Sequence, residues 1–177
     1  NDRYKDEERL LFHSEYDELT GQLNRICLSE ALDAAMSHAA KNGQAAAFLI
    51  AAVNNMAVIN EAFGFDVGDE IITEVGHSLK AKLRAGDTIG RYSSNKFGLV
   101  LADCNPGTVR IAAERFMKAI RETPIRASAC QLSATISIGG VLVPSQSSTV
   151  QQAASSALQA LACAKLKRHD CFHAFEP

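Results

Sequence analysis

Residues 45–53, AAAFLIAAV, form an unbroken apolar run of strand length. An alternating strand can leave one face in water, but this one has no polar face to offer, so a sheet built through it must be covered on both sides. The rest of the chain supplies the covers. Leu28, Leu32, Ala35, Met36 and Ala39 recur at helical spacing and predict a helix from about Ile26 to Lys41, stopped by Asn42-Gly43. A short helix is expected around Met56 to Ala62. Val67, Ile71, Ile72, Val75, Leu79 and Leu83 predict another helix reaching Arg84, with Gly86 beyond it. Val109, Ala112, Ala113, Phe116, Met117 and Ile120 mark one closed by Pro124, and Val150, Ala153, Ala154, Ala157, Leu158 and Leu161 mark the last.

Between these lie further strand signals. Thr88–Tyr92 and Phe97–Leu101 flank the tetrad Ser93-Ser94-Asn95-Lys96, which is placed in a hairpin turn. Leu132–Val143 reads as one long strand, and Cys171–Phe175 as a final edge strand. The plan βααββαβ predicts an α/β (α+β) fold: a mixed, mostly antiparallel central sheet surrounded by helices, of the ferredoxin-like, polymerase-palm type. Residues 1–16 are charged and free of Gly and Pro, which suits a linker or signalling helix leading into a domain of residues 17–177.

Composition narrows the class. Eighteen Lys+Arg against 20 Asp+Glu give a formal charge of −2, without the clustered basic surface that duplex nucleic acid requires. No apolar run approaches the roughly 18 residues of a membrane span, and the charged start is not a secretory signal, so membrane contact by this segment is not expected. A cytoplasmic location follows, in a parent protein whose anchoring the segment leaves open. The five cysteines contain no C-x-x-C pair and read as reduced thiols, and a metal cluster among the five histidines is not expected.

The segment Asp17-Glu18-Leu19-Thr20-Gly21-Gln22-Leu23-Asn24-Arg25 resembles the D-x-L-T-G-x-x-N-R opening of GGDEF domains, the diguanylate cyclases that make cyclic di-GMP from two GTP. The resemblance continues through Ile59-Asn60-Glu61, Gly64–Asp69, Arg84-Ala85-Gly86-Asp87, Arg91-Tyr92, Phe97 and Ala164-Lys165. It implies a hairpin in which two glycines let the backbone approach the GTP phosphates and the following acidic residue holds a divalent metal. Here that hairpin reads Ser93-Ser94-Asn95-Lys96-Phe97. Serines crowd the cradle, Asn95 is neutral and Lys96 reverses a charge, whereas hard divalent cations need anionic oxygen ligands. The family's strand ends in Asp-x-Asp; here Ala52-Val53-Asn54 stands there, and Ala52 has no donor atom. Ala57 replaces the phosphate-contacting lysine, leaving Lys165 and His169 as the remnant of the triphosphate clamp. The expectation is loss of Mg binding, no cofactor, and no cyclase activity, since phosphoryl transfer here depends on metal-stabilised charge.

The resemblance assigns guanine contacts to Asn60 and Asp69. Their other reading is local, Asn60 capping a turn and Asp69 starting the following helix near its positive dipole end. Arg84 and Asp87 sit at the spacing of the family's inhibitory site for cyclic di-GMP, with Arg115 where the family often adds an arginine. The other reading is a helix-terminal arginine paired with a turn aspartate. Asp17 and Arg91 are expected to tie the opening loop to the hairpin strand. The function these residues imply is a catalytically inactive regulatory or receptor module in bacterial cyclic-di-GMP signalling. Cyclic di-GMP is its first candidate ligand and GTP a weaker one; linked sensor or EAL phosphodiesterase domains and a second copy of the chain are its candidate partners. The alternatives are a dimerisation scaffold that binds no nucleotide and a residual cyclase.

Overall fold

The computed structural model describes residues 2–127, 130–167 and 170–177. His169, expected in the remnant phosphate clamp, lies outside them. The elements run α1 (Asp2–Glu15), α2 (Arg25–Lys41), β1 (Ala46–Val53), α3 (Met56–Phe63), α4 (Phe65–Ala81), β2 (Thr88–Ser93), β3 (Lys96–Leu101), α5 (Pro106–Glu122), β4 (Ile125–Ala127), β5 (Cys130–Leu132), β6 (Ile136–Val143), α6 (Val150–Lys167) and β7 (Phe172–Ala174).

The apolar run becomes the middle strand of a five-stranded sheet, ordered β2-β3-β1-β6-β7. Strand β1 is antiparallel to β3 and to β6, and only β7 adds in parallel. All eight residues of β1 are buried. Ala47, Leu49, Ala51 and Val53 face the α4 and α5 side with Ile71, Val75, Leu79, Phe116 and Ile120, whereas Ala46, Phe48, Ile50 and Ala52 face α2 and α6 with Leu28, Leu32 and Leu161. Helix α6 comes so close that a Cβ on Gly139 of β6 would stand 2.2 Å from the Leu161 backbone nitrogen.

Three elements differ from the sequence expectation. Helix α4 begins at Phe65 and ends at Ala81, so Arg84 lies beyond it, in a turn where Gly86 takes φ +91°. The long strand expected over Leu132–Val143 is broken: its first residue, Leu132, pairs with Ile125 in a separate small hairpin, β4 with β5, and β6 starts at Ile136. Strands β2 and β3 extend through Ser93 and from Lys96, leaving Ser94 and Asn95 as the turn.

The opening loop is fastened at both ends. Asn24 Oδ1 accepts the Cys27 N–H as the cap of α2 while its Nδ2 donates to the Ser14 carbonyl at the end of α1. Asp17 accepts from the Thr20 N–H and hydroxyl and pairs with Arg91 of β2 at 3.2 Å, the tie expected from sequence.

Candidate functional site

The C-terminal end of β1 and the β2–β3 turn lie side by side. Ala52 stands opposite Lys96 in register, and the Val53 N–H donates to the Asn95 carbonyl at 2.9 Å. The side chains then close on themselves: Asn95 Nδ2 donates to the Val53 carbonyl at 3.3 Å, and Lys96 Nζ donates to Asn95 Oδ1 at 3.3 Å. Asn54 is buried and neutral, donating from Nδ2 to Thr135 Oγ1 at 3.0 Å and accepting from the Ser137 hydroxyl at 3.1 Å. Thr135 and Ser137 were not singled out from sequence, since only the fold brings them some eighty residues back to the end of β1. Arg91 holds the turn from the other side, donating to the Ser93 and Ser94 carbonyls.

Ala52 and Lys96 are cross-strand neighbours, so both side chains point to the α2 and α6 face. Lys165, largely exposed, stands near the end of α6, the helix that packs over this face. Its pKa is pushed below the ordinary lysine value, first by partial burial and then by the charge of Lys96.

Asn60 and Asp69 come from α3 and α4. A Cβ on Gly68 would fall 1.9 Å from Asn60 Oδ1, so the Asn60 amide rests on α4 at Gly68, and only glycine leaves room for it. The local readings fit less well. Among the described residues the Asn60 side chain makes no hydrogen bond, its carbonyl alone closing α3 by accepting from Gly64, and Asp66 rather than Asp69 occupies the first turn of α4. Asp69 is exposed and lines a shallow cavity with Leu19, Thr73, Glu74 and Arg126. Arg126 belongs to the β4–β5 hairpin, which sequence patterning missed.

In the α4–β2 turn, Asp87 is committed to the backbone. Its Oδ2 accepts the Arg84 N–H and its Oδ1 the Ala102 N–H, each at 3.1 Å, and its side chain is 1% exposed. Arg84 Nε lies 3.5 Å from Asp87 and Nη2 donates to the Ala102 carbonyl, while Arg115 Nη2 donates to the Lys82 carbonyl. The two guanidiniums therefore flank one turn, with several of their N–H groups unspent. Arg115 Nε is buried without a partner among the described residues. Cys104 sits beside this turn; burial, before the opposing charges of Arg84 and Asp87, raises its thiol above the usual cysteine range.

Residues 14–171 match the family model described as diguanylate cyclase, GGDEF domain. The chain belongs to the GGDEF domain family. It is 30% identical over 134 residues to the bifunctional diguanylate cyclase/cyclic di-GMP phosphodiesterase MucR of Pseudomonas aeruginosa, an alignment covering 76% of this chain and 19% of MucR. It is 28% identical over 127 residues to the diguanylate cyclase DosC of Escherichia coli, covering 71% of this chain and 28% of DosC. This GGDEF domain thus spans less than a third of either relative. Among solved structures, the diguanylate cyclase SiaD of Pseudomonas aeruginosa, in complex with its activator SiaC, superposes with TM-score 0.86 at 28% identity, covering 98% of this chain and 68% of that one. The GGDEF domain of DgcB from Caulobacter crescentus, in complex with c-di-GMP, has the same fold, with TM-score 0.82 at 18% identity over 90% of this chain and 94% of that one.

Tested against a divalent cation, the corner at β1 does not fit. A GGDEF domain with carboxylates at positions 52 and 95 would offer anionic oxygens; here a methyl, an amide already bonded to the Val53 carbonyl, and an ammonium stand in their place. Among the described residues no group of three His, Cys, Asp or Glu side chains converges anywhere.

Proposed function

We propose that this GGDEF domain is a non-cyclising regulatory module of cyclic-di-GMP signalling that senses cyclic di-GMP at Arg84 and Arg115 and passes occupancy to domains joined to it, an EAL phosphodiesterase foremost. The observation that carries the loss of catalysis is the Ala52–Lys96 register, with the Asn95 amide bonded to Val53. Both positions that would hold the metal in the family lack an anionic oxygen, and a cyclase without metal has nothing to offset the charge developing on the transferred phosphoryl group.

The arginine turn supports the receptor reading because it needs no metal. Guanidinium N–H groups left over after the Ala102 and Lys82 carbonyls suit phosphate oxygens or the Hoogsteen edge of guanine. Asp87 serves here as the brace of the turn. That same brace favours a second reading, a scaffold without nucleotide, because a carboxylate 1% exposed cannot reach a base amino group without leaving the backbone. Helix α1 is the proposed output. Its described side chains are exposed, Tyr4 and Leu10 among them, and a lone helix of this length is marginal in water, so pairing with a second copy would stabilise it.

Titration calorimetry with cyclic di-GMP in EDTA separates the readings. The receptor gives a saturable isotherm that Arg84→Ala weakens by about tenfold or more. A flat isotherm supports the scaffold. Chromatography after long incubation with GTP and Mg2+ or Mn2+ shows no cyclic di-GMP above a protein-free control; product that vanished on mutating Asn60 or Asp69 would overturn the inactive reading.

A further inference from the structure

We infer that the outer edge of β7, with the cleft between it and α5, is a docking site for an extended peptide segment that adds to the sheet antiparallel. On its α5 side that segment carries an apolar, an acidic and a basic side chain at alternate positions. The site is independent of the corner at β1 and of ligand binding in the arginine turn.

Strand β7 ends the sheet, with β6 on one side and, among the described residues, no strand on the other. The Ile138 N–H donates to the Cys171 carbonyl and the Phe175 N–H to the Gly140 carbonyl. The alternate residues of this parallel ladder, Phe172 and Ala174, therefore direct their backbone N–H and C=O groups away from β6, where each can exchange an N–H···O pair with a residue directly opposite. Backbone pairing along so short an edge holds little by itself, so side-chain pockets must supply the rest.

The cleft supplies them in a fixed order. Phe172 and Ala174 line, with Val109 and Leu142, an apolar cavity of about 250 Å3 at the start of α5. Arg110 borders it, its guanidinium 5.5 Å from the centre of the Phe172 ring. Glu114, one turn further on, lines a second cavity of about 510 Å3 with Arg121 and Asp170. Arg110 and Glu114 are exposed and form no ion pair among the described residues, whereas Arg121 is paired with Asp170. The other oxygen of Asp170, Oδ1, is buried without a hydrogen-bond partner among the described residues.

Helix α5 runs opposite to β7, its first turn beside Ala174 and its last beside Asp170. Four residues of helix rise about 6 Å and two residues of strand about 6.8 Å, so side chains on one face of an added strand keep step with the helix. One opposite Ala174 enters the apolar cavity, one opposite Phe172 meets Arg110, and the next reaches Glu114 and Asp170 Oδ1. Charge complementarity thus sets the order apolar, acidic, basic, and antiparallel pairing reads it from the N-terminus of the segment.

The experiment titrates the 177-residue chain with the blocked peptide acetyl-Thr-Val-Thr-Glu-Thr-Lys-Thr-amide, with melting curves to verify that each variant is folded. The expected result is saturable binding that slows hydrogen exchange at the Phe172 and Ala174 amides. It is lost on N-methylation of the peptide's Val or Glu, whose N–H groups face β7, and survives N-methylation of the Thr between them. Arg110→Gln weakens it about fivefold, as does exchanging the peptide's Glu and Lys. Lys41→Gln, an equal loss of charge on α2, leaves it unchanged. The inference is overturned by no binding at millimolar peptide, by binding indifferent to the order of Glu and Lys, or by binding that survives N-methylation of both Val and Glu. Dimerisation lost in Arg110→Gln, with no peptide bound, would make a second copy the occupant and equally overturn it.

Discussion

Asp87 shows what one carboxylate does when both oxygens are spent on backbone N–H groups. Asp87→Ala strands the Ala102 N–H, half-buried beneath the turn, and loses a charge-assisted pair, at a cost of about 1–3 kcal/mol. At roughly 2–4 °C per kcal/mol for a chain of this size, the melting temperature falls by several degrees. Arg84→Ala, whose side chain is half exposed, lowers it much less, so calorimetric scans of the two variants separate the brace from the proposed sensor. Beside them Cys104 is buried, and its raised pKa keeps the thiol neutral where an unfolded chain would already be losing its proton. The sign follows: the stability from this neutral thiol is intact below the ordinary thiol range and lost as pH rises through the higher folded value. At pH 8 iodoacetamide should label exposed Cys163 and spare Cys104 until denaturant is added, as mass spectrometry of peptides would read. Identity alone made the missing carboxylates at 52 and 95 legible, because a methyl and an amide cannot be anionic in any fold. The commitment of Asp87 was not legible, because its partner Ala102 arrives from the far end of the hairpin.

Elements followed the sequence where apolar periodicity was long and departed from it where short-range bonding took over. The buried strand, its flanking helices and the β2–β3 hairpin stand as the spacing implies. Helix α4 starts earlier because Gly64, at φ +92°, both ends α3 and opens α4, a turn that apolar spacing cannot encode. The strand expected over Leu132–Val143 breaks where the Thr135 carbonyl accepts the Asn54 N–H, and β4–β5 is too short for alternation to be visible. Two substitutions probe what holds the layers. Gly139→Ala places a methyl against the Leu161 nitrogen and the Ala157 carbonyl oxygen, backbone atoms that cannot swing aside, so α6 must lift from the sheet. Overpacking of this kind costs about 1–3 kcal/mol or more, and urea unfolding should show the midpoint fall with little change in slope. At the start of α5, Asn105 caps the Thr108 N–H while the Thr108 hydroxyl accepts from Asn105, and Asn105→Ala should cost about 0.5–2 kcal/mol in the same measurement.

Across the whole molecule, the ties run from the leading helix to the altered corner. Asn24 joins α1 to α2, Asp17 joins the opening loop to Arg91, and Arg91 grips the Ser93 and Ser94 carbonyls next to Asn95 and Lys96. The corner is thus held in place while no anionic oxygen stands at positions 52, 95 and 96, which makes restoring carboxylates a test of how many changes the proposed loss of catalysis took. Ala52→Asp alone sets a carboxylate opposite Lys96, at a position 0% exposed, and the two charges pair with each other rather than with a metal. Asn95→Glu alone leaves Ala52 without a donor and Lys96 beside the new carboxylate. Only the combination Ala52→Asp, Asn95→Glu and Lys96→Glu supplies anionic oxygens from both strands and removes the competing ammonium. The expected outcome is Mg2+-dependent GTP binding in the triple variant and in neither single variant, read by calorimetry with and without EDTA. Cyclic di-GMP production by Asn95→Glu alone would show that one arm suffices to hold the metal, and the account of inactivity built on the paired loss at positions 52 and 95 would then fail.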